Sequence, residues 1–77
     1  MLNQPTICQI IRFHRKRSGL SQSDFAKMIG VGKTVIYDLE KGKQTVQLDT
    51  LNKVLKGLNI AVTLSSHLMN EFENENR

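Results

Sequence analysis

The sequence predicts an all-α fold of four helices around one core, followed by a C-terminal β-strand that forms an intermolecular two-stranded sheet. Three observations carry this. Apolar residues recur at helical spacing over four successive segments. Gly19, Gly30 and Gly42 stand where three of those segments end. From Ile60 to Leu64 the apolar period drops to two, the period of a strand. At 77 residues the chain holds one domain. A domain this short buries only ~60% of the surface its unfolded chain exposes, so association between copies is a common remedy.

The first helix is expected from about Thr6 to Ser18. Pro5 sits near its start, where a missing N–H costs nothing, and Gly19 follows its end. Ile7, Ile10, Ile11 and His14 fall on one inward stripe, and Phe13 makes a second side apolar. The second helix opens with Ser21 as N-cap and Asp24 three residues on, a variant capping box, with Leu20 and Phe25 at the spacing of a hydrophobic staple. Phe25, Ala26 and Ile29 face inward, and Gly30 ends it. The third runs from Gly32 or Lys33 to Lys41, with Val35, Ile36 and Leu39 inward and Gly42 in the closing position. Its outward stripe is polar: Lys33, Thr34, Tyr37 and Lys41. Lys43 to Gln47 form a polar connection. The fourth helix carries Leu48, Leu51, Val54, Leu55 and Leu58 on one face, and Asn59 suits a left-handed end. Then Ile60, Val62 and Leu64 alternate with Ala61, Thr63 and Ser65. A lone strand leaves its backbone groups unpaired, so its partner is the same strand, Ile60 to Leu64, of a second copy.

Charge divides the chain. Residues 1–65 hold ten Lys and Arg against Asp24, Asp38, Glu40 and Asp49, whereas residues 66–77 hold Glu71, Glu73, Glu75 and Arg77. We read residues 1–65 as the folded domain and 66–77 as a mobile acidic tail, in which Leu68, Met69 and Phe72 can make a short amphipathic turn. A basic body suggests a polyanionic partner. Cys8 is the single cysteine, so no internal disulfide is expected. No apolar run approaches the ~20 residues that span a bilayer, and there is no signal-peptide pattern, so no membrane partner and a cytoplasmic, nucleoid-associated location are expected. His14 and His67 lie in separate elements without ligand spacing, so neither a metal nor a cofactor is expected. With no glycine-rich phosphate loop and no nucleophile elbow, the chain is not read as an enzyme.

Two short helices joined by a tight glycine turn, the second with a polar outward stripe, form a helix-turn-helix. The run of Ile11, Arg15, Gly19, Leu20, Ser21, Gln22, Phe25, Ala26, Ile29, Gly30, Ile36, Leu39, Glu40 and Gly42 resembles the Xre/Cro/C1-type helix-turn-helix family over residues 7–58. That resemblance implies a lambda-repressor-like domain. The continuation from Thr45 through the fourth helix into Ile60–Leu64 is similar to HipB-type antitoxins, the DNA-binding partners of HipA-type kinase toxins.

By that resemblance Gln22 and the outward residues Lys33, Thr34, Tyr37 and Asp38 approach DNA. Physical chemistry agrees: Ser21 and Gln22, at a helix N-terminus, suit a phosphate. Lys33 can reach guanine O6/N7, and Thr34 a thymine methyl or a phosphate. Tyr37 is large for a base edge and suits backbone or a thymine methyl. Lys27, Lys41 and Lys43 flank this surface as phosphate-neutralising cations. Arg15 and Glu40 match a partly buried ion pair of structural role. His14 departs from the family, where an aliphatic residue is usual. It is expected as a satisfied histidine at the core edge, with a pH-sensitive role as the other reading. Gly32 replaces the usual Ser or Thr cap, at a cost of a few tenths of a kcal/mol. The expected function is a dimeric, sequence-specific DNA-binding repressor on a palindromic double-stranded operator, acting as antitoxin to a HipA-type kinase toxin. A stand-alone repressor and a protein-interaction module with an incidental basic face are the alternatives.

Overall fold

The computed structural model describes residues 4–75, in which five helices follow one another: α1 (Gln4–Arg17), α2 (Gln22–Ile29), α3 (Lys33–Lys41), α4 (Leu48–Gly57) and α5 (Met69–Glu75). The first four are the expected ones. The fifth corrects the expected count, because the tail coils into a full helix where only a short turn was anticipated. None of its residues is buried; its Phe72 lies exposed, as does Leu68 just before it. Arg77, counted with that tail, lies outside the described residues.

Local chemistry sets the helix ends. Ser21 Oγ accepts from the Asp24 N–H at 3.0 Å, which starts α2 as the cap pattern requires. Gly30 closes it at φ 77°, and its N–H and that of Val31 both donate to the Ala26 carbonyl. Gly32 offers α3 no side-chain cap, and Gly42 ends that helix at φ 103°. Asn59 takes φ 58°, and the Ile60 N–H folds back onto the Leu55 carbonyl at 2.9 Å.

The core joins Cys8 and Ile11 of α1, Phe25 and Ala26 of α2, Ile36 and Leu39 of α3, and Val54, Leu55 and Leu58 from α4 and its end. α3 packs on both α1 and α2, and α4 packs on α2. The inward face of α1 differs from the expected stripe. Cys8, Ile11 and Arg15 are buried, Ile7 and His14 sit at the edge, and Ile10 is exposed. Arg15 turns inward because Glu40 receives it, and that anchors the helix one residue around from the aliphatic stripe. Leu48, expected inward on α4, is 72% exposed, and Val35 is only half-buried.

Residues 60–66 form neither helix nor strand in the single chain. Among the described residues, no backbone–backbone hydrogen bond involves residues 61–65. Ile60 packs against the core, while Val62 and Leu64 remain exposed rather than covering the helices as expected. A ladder needs a second strand, and the described residues of the chain supply none.

Candidate nucleic-acid interface

α2 and α3 are joined by Gly30, Val31 and Gly32, and their packing turns the polar stripe of α3 outward. Lys33, Thr34, Tyr37 and Lys41 are all exposed along it, and Asp38 is half-buried at its side. Lys41 Nζ lies 5.4 Å from the centroid of the Tyr37 ring, within cation–π range.

Two clefts border this stripe. The wider, about 370 Å³, brings Thr34 and Asp38 of α3 together with Lys43, Thr45, Gln47 and Thr50. Lys43 Nζ stands 3.7 Å from Asp38 Oδ2, an exposed pair of little energetic weight. Thr45, Gln47 and Thr50 were missed as site residues by sequence reasoning. The signal available was the polar connection from Lys43 to Gln47, broken only by Val46, soon after the outward stripe. The narrower cleft, about 220 Å³, is lined by Arg12, Gln22, Tyr37, Glu40 and Lys41.

The Arg15–Glu40 pair fixes the frame. Arg15 Nε donates to Glu40 Oε2 at 2.6 Å, Nη2 donates to Oε1 at 2.9 Å, and Nη1 donates to the Leu20 carbonyl at 2.8 Å. Burial pushes the Glu40 carboxyl up, but the Arg15 and Gln22 hydrogen bonds and the Arg15 and Arg12 charges outweigh it and hold the carboxyl below its usual range. The Glu40 hydrogen bond raises Arg15 further. This ties the end of α1 to α3.

Among the expected site residues, Thr34, Asp38 and Lys43 meet in one cleft, and Gln22, Tyr37 and Lys41 meet in the other. Lys33 stands exposed at the start of α3. Gln22 Nε2 donates to Glu40 Oε1 at 3.1 Å, which leaves its second N–H and its carbonyl for another partner. Ser21 caps α2. Lys27 is exposed but lines neither cleft. His14 is satisfied locally: the Ile10 carbonyl accepts from its Nδ1 at 2.7 Å, and its ring meets Phe13 edge-on. Phe13 lies beneath the Arg17 guanidinium, 5.1 Å from the ring centroid.

The residues expected at the dimer interface lie away from this surface. Ile60, Ala61, Val62 and Thr63 line an apolar groove of about 300 Å³ with side chains of α1 and α4, among them Ile10, Leu48 and Leu51. Leu64 lies beyond it, 68% exposed.

Known proteins resemble this chain in sequence and fold. The chain is 36% identical over 55 residues to an uncharacterized HTH-type transcriptional regulator, y4mF, of Sinorhizobium fredii, covering 71% of this chain and 72% of that one. It is 39% identical over 46 residues to putative HTH-type transcriptional regulatory proteins of Saccharolobus islandicus, but spans only 15% of their length. A chain of a HipA-HipB-O2-O3 complex superposes with a TM-score of 0.78 at 25% identity, over 87% of this chain and 94% of that one. A chain of a HipB-O1-O2 complex does so with a TM-score of 0.77 at 26% identity, over 86% and 96%. Residues 11–64, which contain the turn, both of its helices and their glycine ends, match the family model described as Helix-turn-helix, and this chain belongs to that Xre/Cro/C1-type family.

Proposed function

We propose that this protein is a sequence-specific DNA-binding repressor that acts as a twofold dimer and as the antitoxin of a HipA-type kinase toxin. The observation that carries the DNA reading is the exposed stripe Lys33, Thr34, Tyr37 and Lys41, set between two polar clefts on a helix fixed by a buried ion pair. Lys33 and Thr34 lie at the start of α3, a position that in this motif suits contact with base edges in the major groove. Lys41 and Lys43 lie at its end as phosphate contacts. The basic body, without a membrane-length apolar helix among the described residues, suits a cytoplasmic protein on DNA.

The dimer reading is supported by the unpaired backbone of residues 61–65 and the apolar groove beside it. An antiparallel pairing of Ile60–Leu64 with the same segment of a second copy satisfies that backbone. It also gives the groove a partner. The antitoxin reading draws on the likeness to a chain of the HipA-HipB-O2-O3 complex and on the C-terminal segment, where exposed Leu68, just before α5, and exposed Phe72 within it offer a toxin an apolar face. The likeness to y4mF, named as a transcriptional regulator, favours a second reading: a repressor with no toxin partner.

A gel shift on the DNA upstream of its own gene tests the DNA reading, and retardation of that fragment over random DNA is the expected result. A pull-down with the full chain and with a chain ending at Ser65 tests the rest. A kinase-like chain captured by the first and lost by the second supports both the antitoxin reading and the role of α5. Its absence from both favours the stand-alone repressor.

A further inference from the structure

Two exposed apolar stripes of the chain carry opposite charge at their edges. The first is the outer side of α1, where Ile10, Phe13 and Arg17 follow at helical spacing, turned away from the buried Cys8 and Ile11. Phe13 is 56% exposed and lies beneath the Arg17 guanidinium, with Lys16 exposed beside it. Of Arg15, Lys16 and Arg17 in the last turn of α1, only Arg15 is in an ion pair with another described residue. The second stripe is that of α5. Leu68 just before it, Met69 and Phe72 fall on one side, with Glu71 and Glu75 along one edge and Glu73 along the other. No residue of α5 is buried or belongs to the core, and none of its glutamates is in an ion pair with another described residue.

The path of the chain links the two. In an antiparallel pairing of Ile60–Leu64 about a twofold axis, Leu64 of one copy stands opposite Ile60 of the other. Ile60 packs on the core and lines the apolar groove together with Ile10. The paired strand therefore carries its chain about 14 Å from its own Ile60 and leaves it beside the groove of the second copy. Leu68 follows four residues after Leu64, a reach of at most about 14 Å. Phe13 lies about one turn of α1 beyond Ile10, within that reach.

We infer that α5 of each copy docks on the outer side of α1 of the other, with Leu68 and Phe72 against Phe13 and the glutamates beside Lys16 and Arg17. Charge complementarity selects this occupant: α1 carries four Lys and Arg and no acid, whereas α5 carries three Glu and no cation. The docking straps the dimer at two further points related by the same axis as the strands. A toxin that takes up Leu68 and Phe72 must first lift α5 from the second copy. This inference rests on the strand-paired dimer of the reading above.

The test measures the dimer affinity of the full chain by sedimentation, without DNA. Phe13→Ala and Leu68→Ser should each weaken it by roughly ten- to a hundredfold, since a dimer holds the apolar contact twice. Lys16→Glu with Arg17→Glu should weaken it too, and adding Glu71→Lys with Glu75→Lys in the same chain should restore it, which a folding defect cannot mimic. A chain with Phe13→Cys and a tagged chain with Phe72→Cys, refolded together, should be joined by a short bis-maleimide into a mixed pair. Wild type, whose Cys8 is buried, is the unreactive control. Dimers of unchanged affinity in Phe13→Ala and Leu68→Ser, with no mixed pair, overturn the inference and leave the strand-paired dimer intact. A loss that the reversed glutamates fail to restore overturns it as well. So does a link formed only within one chain that carries both new cysteines, since α5 then lies on its own α1. Wild type that stays monomeric sinks the dimer reading itself, and the inference with it.

Discussion

Glu40 accepts three hydrogen bonds from two helices, and its charge holds Arg15 at the core boundary. Its folded-state carboxyl lies below the ordinary range, so the stability it confers is present above the unfolded value of about 4.3 and is lost as pH falls through the lower folded one. Thermal unfolding followed from pH 7 to pH 3 should show a falling midpoint in wild type. Glu40→Gln should flatten that acid limb. Glu40→Ala at pH 7 strands a guanidinium that is nearly buried, and should cost about 3 kcal/mol in urea unfolding. On the outward face, residues divide differently. Lys33→Ala should cost about 1–3 kcal/mol on the operator and relax preference at one position. Lys43→Ala should weaken all sequences alike and flatten the salt slope by about one, even though Asp38 stands nearby, because an exposed pair at 3.7 Å contributes little. Gel shifts on operator and random DNA separate the two, and equal proportional losses in both mutants would refute the division.

Of the five glycines, only Gly57, the last residue of α4, sits against a neighbouring helix. A Cβ built there meets Ile29 Cγ2 at 2.5 Å and Phe25 Cε1 at 3.2 Å, so α4 rests on α2 through a missing side chain. Gly57→Ala gains helix propensity of at most about 1 kcal/mol, and less at a helix end. Overpacking against a fully buried phenylalanine costs about 1–3 kcal/mol. The strain should win, with a lower thermal midpoint as the readout. Elements of this kind were only partly legible in the sequence. The ends of α2 and α3 followed directly from Ser21, Gly30 and Gly42, since capping is local chemistry. The face of α1 did not, because counting apolar residues treats Arg15 as solvated, and only the position of Glu40 on α3 shows that it turns inward. For the same reason Thr45, Gln47 and Thr50 escaped notice. Their place in the wider cleft comes from how the connection folds back beside α3, which no spacing within that segment encodes. Leu48, read as core from its place on the stripe, lies at the open rim of the apolar groove instead.

At the scale of the whole molecule, one chain leaves Ile60 to Leu64 unfinished. Residues 61–65 have no backbone partners among the described residues, and Val62 and Leu64 are 53% and 68% exposed. The alternation of Ile60, Val62 and Leu64 is nonetheless that of a strand, which the sequence shows and a single chain cannot complete. Ile60 already packs on the core and Val62 lines the groove with Ile10 and Leu48, so a second copy's strand has an apolar bed to settle on. A two-stranded ribbon alone is marginal in water, and in the proposed dimer the groove would therefore carry much of the stability. In the proposed dimer, pairing about a twofold axis would present two copies of α3 to DNA about 34 Å apart, or a multiple of it, and a palindromic operator would follow. Val62→Pro removes a ladder N–H and an apolar contact at once. It leaves the core of Phe25, Ile36 and Val54 untouched, so the variant should fold as a monomer. Sedimentation should then report one chain in place of two, and operator affinity should fall steeply while the weak binding of random DNA by each subunit persists. A variant that stays dimeric with unchanged operator affinity would place the twofold contact elsewhere on the molecule.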